Sequence, residues 1–197
     1  MNKIANQNEK PEVKPAEVCP WWICFTFDNF LRRKVMNPLK IMSPYIKEGM
    51  TVMDVGPGMG YFTISIAKLV GPSGKVIAAD LQQHMLEAIQ RRAVKAGVQN
   101  RITLHQTTVD NIGLRTQVDF CLAFWMVHEV GDRRGFINQV ASTIKPRGLF
   151  LVAEPKLHVS KANFSETVEM IKAAGLEVIE EPKIFLSNAV MFKKASK

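Results

Sequence analysis

The sequence predicts an α/β fold, a doubly wound and mostly parallel sheet with helices on both faces. Three observations predict it. Apolar runs recur at 50–55, 75–80, 101–105, 118–124 and 148–154, with helical patterns near 60–70, 82–96 and 133–144 between them. The runs are short and continuous rather than alternating, as in strands covered on both faces. The first run passes directly into a glycine-rich turn, Val52-Met53-Asp54-Val55-Gly56-Pro57-Gly58-Met59-Gly60-Tyr61. Strand, helix and strand in repetition mark a parallel sheet.

The elements follow in order. Residues 1–18 are rich in Asn, Lys, Glu and Pro and poor in large apolar groups, so a tail is expected there. Residues 19–27, Cys-Pro-Trp-Trp-Ile-Cys-Phe-Thr-Phe, are dense in aromatics. Residues 28–48 read as a helix and a shorter helical piece, with Pro38 and Pro44 as breakers. From residue 49 the alternation begins, and 49–197 are expected to form one core domain. Gly71-Pro72-Ser73-Gly74 is a turn before the second strand, and Gly97 caps the helix ending there. A later helix over 161–174 takes Ser160 as its N-cap and Gly175 at its end. Two further strands, 176–181 and 184–192, are joined across Pro182. No repeat and no second domain is expected.

Bulk properties bound the function classes. A chain of 197 residues with 47% hydrophobic and 22% charged content suits a globular domain that buries a core without disulfides or metal. No apolar run approaches the roughly 18–20 residues that span a bilayer. The N-terminal stretch lacks the pattern of a secretory signal. Three cysteines, an odd and small number, fit a reducing cytoplasmic setting. The net charge of +8 is spread over short clusters such as Arg32-Arg33-Lys34 and Arg133-Arg134, which reads as solvated surface. It also keeps an RNA acceptor open as an alternative.

The glycine turn lets a ligand lie against bare backbone. A pyrophosphate dinucleotide asks for G-x-G-x-x-G, whose third glycine permits close helix–strand packing. That position is Tyr61 here, and the third glycine arrives one residue early as Gly60. Asp80, twenty residues past Gly60 at the end of the second strand, can accept from two ribose hydroxyls of any adenosine ligand. S-Adenosylmethionine carries no phosphate, so it needs no third phosphate-cradling glycine. Its amino-acid end can meet the backbone of Gly56, Gly58 and Gly60, and Asp54 supplies negative charge near its cationic end. The alternative for Asp54 is a strand-end acid that bonds only the turn backbone. Pro57 fixes its φ and stiffens the turn without donating.

These residues resemble the class I S-adenosylmethionine-dependent methyltransferases. The run 50–90 resembles their first motif, 119–132 (DFCLAFWMVHEVGD) their fourth strand and its loop, and 143–155 (TIKPRGLFLVAEP) their fifth strand. Lys145-Pro146-Arg147-Gly148 is similar to the usual L-K-P-G-G turn. The likeness covers about 45–190 and is greatest to the small-molecule branch with the ubiquinone/menaquinone C-methyltransferases. It implies a Rossmann-like, seven-stranded sheet with an antiparallel last strand, in keeping with the C-terminal pair of runs. By position it assigns Asp54, Gly56, Pro57, Gly58 and Gly60 to the methionine end and Asp80 to the ribose. Leu81 falls against the adenine, and Thr108 and Val109 occupy the place of an adenine-binding acid. Phe124 borders the cofactor after the fourth strand.

Methyl transfer needs an aligned acceptor, exclusion of water and, for some acceptors, removal of a proton. His128 is the candidate base because its ordinary pKa lies near 6.5. The plain alternative is that His128 and Glu129 cap the next helix or bond backbone at the sheet edge. The loop after the fifth strand, Pro155-Lys156-Leu157-His158-Val159-Ser160, is too short for a cap over the site. Residues 19–48 are therefore the expected lid, with Trp21, Trp22, Phe25 and Phe27 against a small-molecule acceptor. Cys19 and Cys24 are spaced C-x4-C, unlike a zinc knuckle, and no metal is expected. The loop after the fourth strand lacks the Asn/Asp-Pro-Pro-Tyr/Phe motif of adenine-N6 chemistry. The rival readings are an RNA methyltransferase, a non-catalytic binder of the same cofactor, and a nicotinamide oxidoreductase that Tyr61 disfavours.

Overall fold

The structure, a computed structural model, describes residues 36–196. The expected tail 1–18, the aromatic stretch with Trp21, Trp22, Phe25 and Phe27, Cys19 and Cys24, and the first part of the helical stretch expected over 28–48, up to residue 35, lie outside the described residues.

Among the described residues seven strands and five helices follow in the order the sequence predicts. They are α1 Pro38–Met42, β1 Thr51–Val55, α2 Tyr61–Leu69, β2 Lys75–Asp80, α3 Gln83–Ala96, β3 Ile102–Gln106, β4 Val118–Phe124, α4 Arg133–Thr143, β5 Ile144–Pro155, α5 Lys161–Ala173, β6 Leu176–Glu180 and β7 Ser187–Lys194. The sheet order is β3-β2-β1-β4-β5-β7-β6. The first five strands pair in parallel, and β7 runs antiparallel between β5 and β6.

Burial on both faces explains the continuous apolar runs. Met53, Val55, Cys121, Ala123, Phe150, Val152 and Phe192 share one core with Ile137 and Val140 of α4 and Phe164 and Ile171 of α5. Their alternate neighbours Val52, Phe120, Leu122, Leu151 and Met191 share the other core with Met42 of α1 and Phe62 and Ile66 of α2. Successive side chains of each central strand therefore leave the sheet on opposite faces and are buried on both. Asp119 pins the lower end of the sheet: its carboxylate accepts from the Thr51 amide (2.8 Å) and from Lys145 Nζ (2.7 Å).

The caps match the expectation. Ser160 accepts from the Asn163 amide at 3.1 Å, and Gly97 and Gly175 stand at φ 68° and 88° past their helices. Three boundaries differ. Pro38 starts a helix instead of breaking one, because Asn37 Oδ1 accepts from the amides of Leu39 and Lys40, and a proline at the first helical position gives up no needed donor. β5 begins at Ile144, since the Lys145–Gly148 turn is a register irregularity inside the strand. β7 begins only at Ser187, because Leu186 turns left-handed at φ 52° and interrupts the extended chain.

Arg147 occupies the place of the first glycine in the usual turn and sits at φ 65°, exposed. A side chain there carries about 1 kcal/mol of left-handed strain. Part of the relief in Arg147→Gly is offset by the freer unfolded chain. A net gain of about 0.5 kcal/mol, or roughly 1–2 °C in thermal midpoint, is expected by calorimetry. A fall in midpoint would show that the arginine contributes more than its backbone costs.

Candidate functional site

The carboxyl ends of β1, β2, β3 and β4 gather most of the residues singled out in the sequence, at the place where an open α/β sheet reverses its strand order. The turn after β1 is built from left-handed residues. Gly56, Gly58 and Gly60 stand at φ 63°, 53° and 81°. The Gly56 amide donates to Ala79 O (2.9 Å), continuing the β1–β2 ladder one step, and the Gly60 amide donates to Pro57 O (3.0 Å) to close the bend. α2 starts at Tyr61, whose hydroxyl donates to Met36 O (2.6 Å).

Each glycine serves a different need. A β-carbon at Gly60 would stand 2.8 Å from Ile89 Cγ1, so α3 packs against the bare backbone there. One at Gly56 would stand 2.8 Å from Met126 Cγ, so the loop after β4 closes directly over the turn. One at Gly58 would meet nothing within 4 Å. Gly58 therefore borders open space, a cradle that a ligand can enter and that a side chain would fill.

Two buried carboxylates flank this cradle. Asp54, 2% exposed, accepts from Thr63 Oγ1 of α2 at 2.6 Å, a side chain instead of the turn backbone. Burial pushes its pKa up to about 7, against the lowering by Thr63 and with a smaller raising by the charge of Asp80. Asp80 accepts from the Gln82 amide at 2.9 Å, and the backbone amides of Gly58 and Leu81 lie near enough to favour its charge. Burial raises its pKa while those amides lower it. The glycine turn and the second acid are thus neighbours.

The remaining positions vary in what they offer. Leu81 is half-buried directly after Asp80, with its carbonyl accepting from Gln106 Nε2 (3.3 Å). Thr108 turns its amide and hydroxyl onto Asn111 O at 3.0 and 3.3 Å, and Val109 is 61% exposed. Phe124 is buried, its ring 4.3 Å from Phe62 and 5.5 Å from Trp125 between centroids. Trp125 follows in a left-handed conformation at φ 59°, an outlier for a bulky residue. Its amide donates to Ala153 O (2.8 Å) and its indole to Ser187 Oγ (2.9 Å).

His128 lies in a 3₁₀ turn, Val127–Glu129. It does not cap α4: Asp132 does, accepting from the Gly135 amide at 2.9 Å. Its Nδ1 bonds instead to Glu154 Oε2, while Glu154 Oε1 accepts from the Val127 amide at 2.8 Å. Burial lowers the His128 pKa, but the hydrogen bond and charge of Glu154, with Glu129 behind, outweigh it and leave it raised above 6.5. Glu129 also caps nothing in α4; its Oε1 stands 4.0 Å from His128 Nε2. The ring of His158 meets that of His128 edge-on at 5.0 Å. His128, Arg133, Glu154, His158, Asn163 and Thr167 line a recess of about 290 Å³. Glu154, 1% exposed, escaped the sequence reading. The signal was present: β1, β2 and β5 each carry one acid within their last two residues.

Among the described residues no group of three or more His, Cys, Asp or Glu side chains is placed to hold a metal, and no helix is long and apolar enough to cross a membrane. Residues 46–190 match the methyltransferase-domain family. The ubiquinone/menaquinone biosynthesis C-methyltransferase UbiE of Pasteurella multocida is 28% identical over 110 residues, covering 55% of this chain and 41% of that relative. The chain thus matches less than half the length of this curated relative. An S-adenosylmethionine-dependent methyltransferase of Aquifex aeolicus shares the fold with a TM-score of 0.79 at 23% identity, over 89% of this chain and 98% of that one. An S-adenosylmethionine-dependent O-methyltransferase of Thermotoga maritima does so with 0.66 at 20% identity, over 81% and 65%. With its glycine turn, its two buried acids and its strand order, the chain belongs to the methyltransferase-domain family, and over part of their length it resembles the ubiquinone/menaquinone C-methyltransferases.

Proposed function

We propose that this protein transfers a methyl group from S-adenosylmethionine to a small-molecule acceptor. The observation that carries the reading is the open space at Gly58, beside Asp80 and in the turn that follows the strand holding Asp54. When bound there, the cofactor supplies a methyl carbon already activated by a sulfonium leaving group. The turn Gly56–Gly60 takes its amino-acid end against bare backbone. Asp54 faces its cationic end, Asp80 accepts from the ribose hydroxyls, and Leu81, Thr108 and Val109 border the adenine. Phe124 closes the floor after β4. The expected lid, residues 19–48 with Trp21, Trp22, Phe25 and Phe27, covers the acceptor and excludes water. His128 removes a proton from it.

A small acceptor is supported by the likeness to proteins named for quinone biosynthesis. Screening labelled S-adenosylmethionine against small hydroxylated rings and against RNA tests the acceptor class. Label on small rings is expected, and label on RNA alone would overturn the reading.

Gly58→Ala separates cofactor binding from folding. Its β-carbon enters the cradle, so calorimetry is expected to find S-adenosylhomocysteine bound at least about tenfold more weakly. The loss of stability, from the left-handed φ alone, is about 1 kcal/mol. Gly60→Ala adds the clash with Ile89 and is expected to cost about 2 kcal/mol or more in urea unfolding. Equal ligand affinity for wild type and Gly58→Ala would remove the cradle from the cofactor site.

Asp54 makes binding depend on pH. Its carboxyl is raised to about 7 in the free protein, and a cationic ligand favours the ionised form. Below about pH 7 the group must release a proton on binding, so affinity for S-adenosylmethionine, which carries the sulfonium charge, falls as pH drops, by at most about tenfold per unit. The same raised pKa makes folding stability fall as pH rises from 3.8 towards about 7, because the folded state holds the proton longer. Asp54→Asn is expected to flatten both dependences, read by calorimetry and by thermal midpoint across that range.

A further inference from the structure

We propose that the recess at the starts of α4 and α5 is a binding site for a small molecule carrying one oxyanion, a carboxylate or a phosphate, gripped between the Arg133 guanidinium and the His128 imidazolium. The site is independent of the methyl-transfer reading, His128 as its base included, and needs no passage to the glycine turn. The recess measures about 290 Å³, and its lining is polar except for Val159. It lies on the other face of the sheet from the helix that follows the glycine turn. Val159 and Phe164 belong to the core shared by α4 and α5, whereas Phe62 and Ile66 of α2 belong to the opposite core.

The chain brings cationic groups and helix amino ends to one spot. Arg133 is the first residue of α4, which has 11 residues, and Asn163 lies in the first turn of α5, which has 13. Both helices turn the positive ends of their dipoles towards the recess. Arg133 is loosely held. Nη1 stands 3.4 Å from Thr167 Oγ1 and Nη2 3.4 Å from Glu166 Oε2, both beyond the ordinary hydrogen-bond length. Glu166 is 59% exposed, so solvent screens that pair. A guanidinium presents its donors in a fork that matches an oxyanion. Glu154 prepares His128 as the second donor. Its Oε2 meets Nδ1 and its Oε1 accepts from the Val127 amide at 2.8 Å, so the buried carboxylate is satisfied within the protein. Nε2 stands 4.0 Å from Glu129 Oε1, too far for a hydrogen bond, and is the ring nitrogen left to a ligand.

The groups around the ring set the sign of the pH dependence. β5 contributes Glu154, the 3₁₀ turn Glu129, the β5–α5 loop His158 and α4 Arg133, while α5 adds Glu166 at the rim and the uncharged Asn163 and Thr167. With both rings neutral the acids outnumber the arginine, so an anion enters together with a proton on His128. Burial lowers the pKa of His128, but Glu154 and Glu129 outweigh it and leave it above 6.5. Above that pKa, affinity for the anion falls as pH rises, by at most about tenfold per unit. The same lining disfavours other ligands. An amine meets Arg133 and finds both oxygens of Glu154 taken. One valine offers little to an apolar molecule. Among the described residues no group of three or more His, Cys, Asp or Glu side chains is placed to hold a metal. The volume equals about ten waters at roughly 30 Å³ each, room for a single ring bearing its oxyanion.

Calorimetry on the full chain with benzoate, phenyl phosphate, benzamide and benzylamine tests the site, with histidine resonances followed by NMR. At least one of the two anions is expected to bind one per chain, more tightly at about pH 6 than at about pH 8, and to raise the titration of one histidine. The tighter of the two tells a carboxylate ligand from a phosphate. S-Adenosylhomocysteine is not expected to displace either. Arg133→Gln and His128→Gln are each expected to weaken the anions at least about tenfold, and His128→Gln also to abolish the pH dependence. Asn163→Asp puts an acid on an exposed residue in the first turn of α5, where it suits the helix, and is expected to weaken the anions at least about threefold by like charge. A cooperative thermal transition confirms each variant as folded, and Asn163→Asp carries the test if Arg133→Gln fails to fold. No binding of either anion by wild type at millimolar concentration overturns the proposal. So do benzamide or benzylamine binding as tightly as the anions, displacement by S-adenosylhomocysteine, or unchanged anion affinity in the folded variants.

Discussion

The reversal of strand order between β1 and β4 is the constraint on which the site depends. β1 is bonded to β2 on one side and to β4 on the other, so the chain winds outward in both directions from this pair. The connection after β1 enters α2 on one face, and the connection after β4 leads to α4 on the other. Loops that part in this way leave a crevice above the strand ends. Here the crevice is narrowed by Met126 lying over Gly56 and left open above Gly58. The parallel sheet thus places the glycine turn, while the glycines determine what the turn can admit.

Much of this was legible in the sequence, for identifiable reasons. Two-sided burial makes the central strands apolar through most of their length, so the runs at 75–80 and 118–124 coincide with β2 and β4. Cap chemistry is equally local, and Ser160 and Gly175 stand where expected. The misplaced boundaries come from backbone torsions that residue type opposes. Arg147 and Leu186 adopt left-handed conformations that glycine would have signalled and that these side chains conceal. In the site, Asp54, Gly56–Gly60 and Asp80 were readable because their spacing is fixed by one β-α-β unit. Glu154 was not singled out because its partner His128 is 26 residues away and meets it only through the β4–β5 pairing. Roles for the aromatic residues before 36 stay with the sequence, outside the described residues.

Three buried acids at one end of a sheet in a chain of net charge +8 receive three different solvations. Asp54 has a single hydroxyl and is pushed up to about 7. Asp80 is surrounded by backbone amides that favour its charge. Glu154 has one amide and an imidazole that can become cationic. Among the described residues no lysine or arginine meets these three acids. Local dipoles and the rings of His84 and His128 do so instead, which leaves the electrostatics of the face responsive to whatever cation or proton arrives.

The insertion of β7 between β5 and β6 bears on synthesis. β6 leaves the ribosome before β7, yet it joins the sheet only through β7. Until β7 emerges, β5 presents an unpaired apolar edge and β6 has no strand to bond. The first five strands can assemble progressively on the nascent chain, but the second half of the sheet must wait and then form together. In that interval the β5 edge is a template for the wrong partner, so this part of the fold is where chaperone protection matters most.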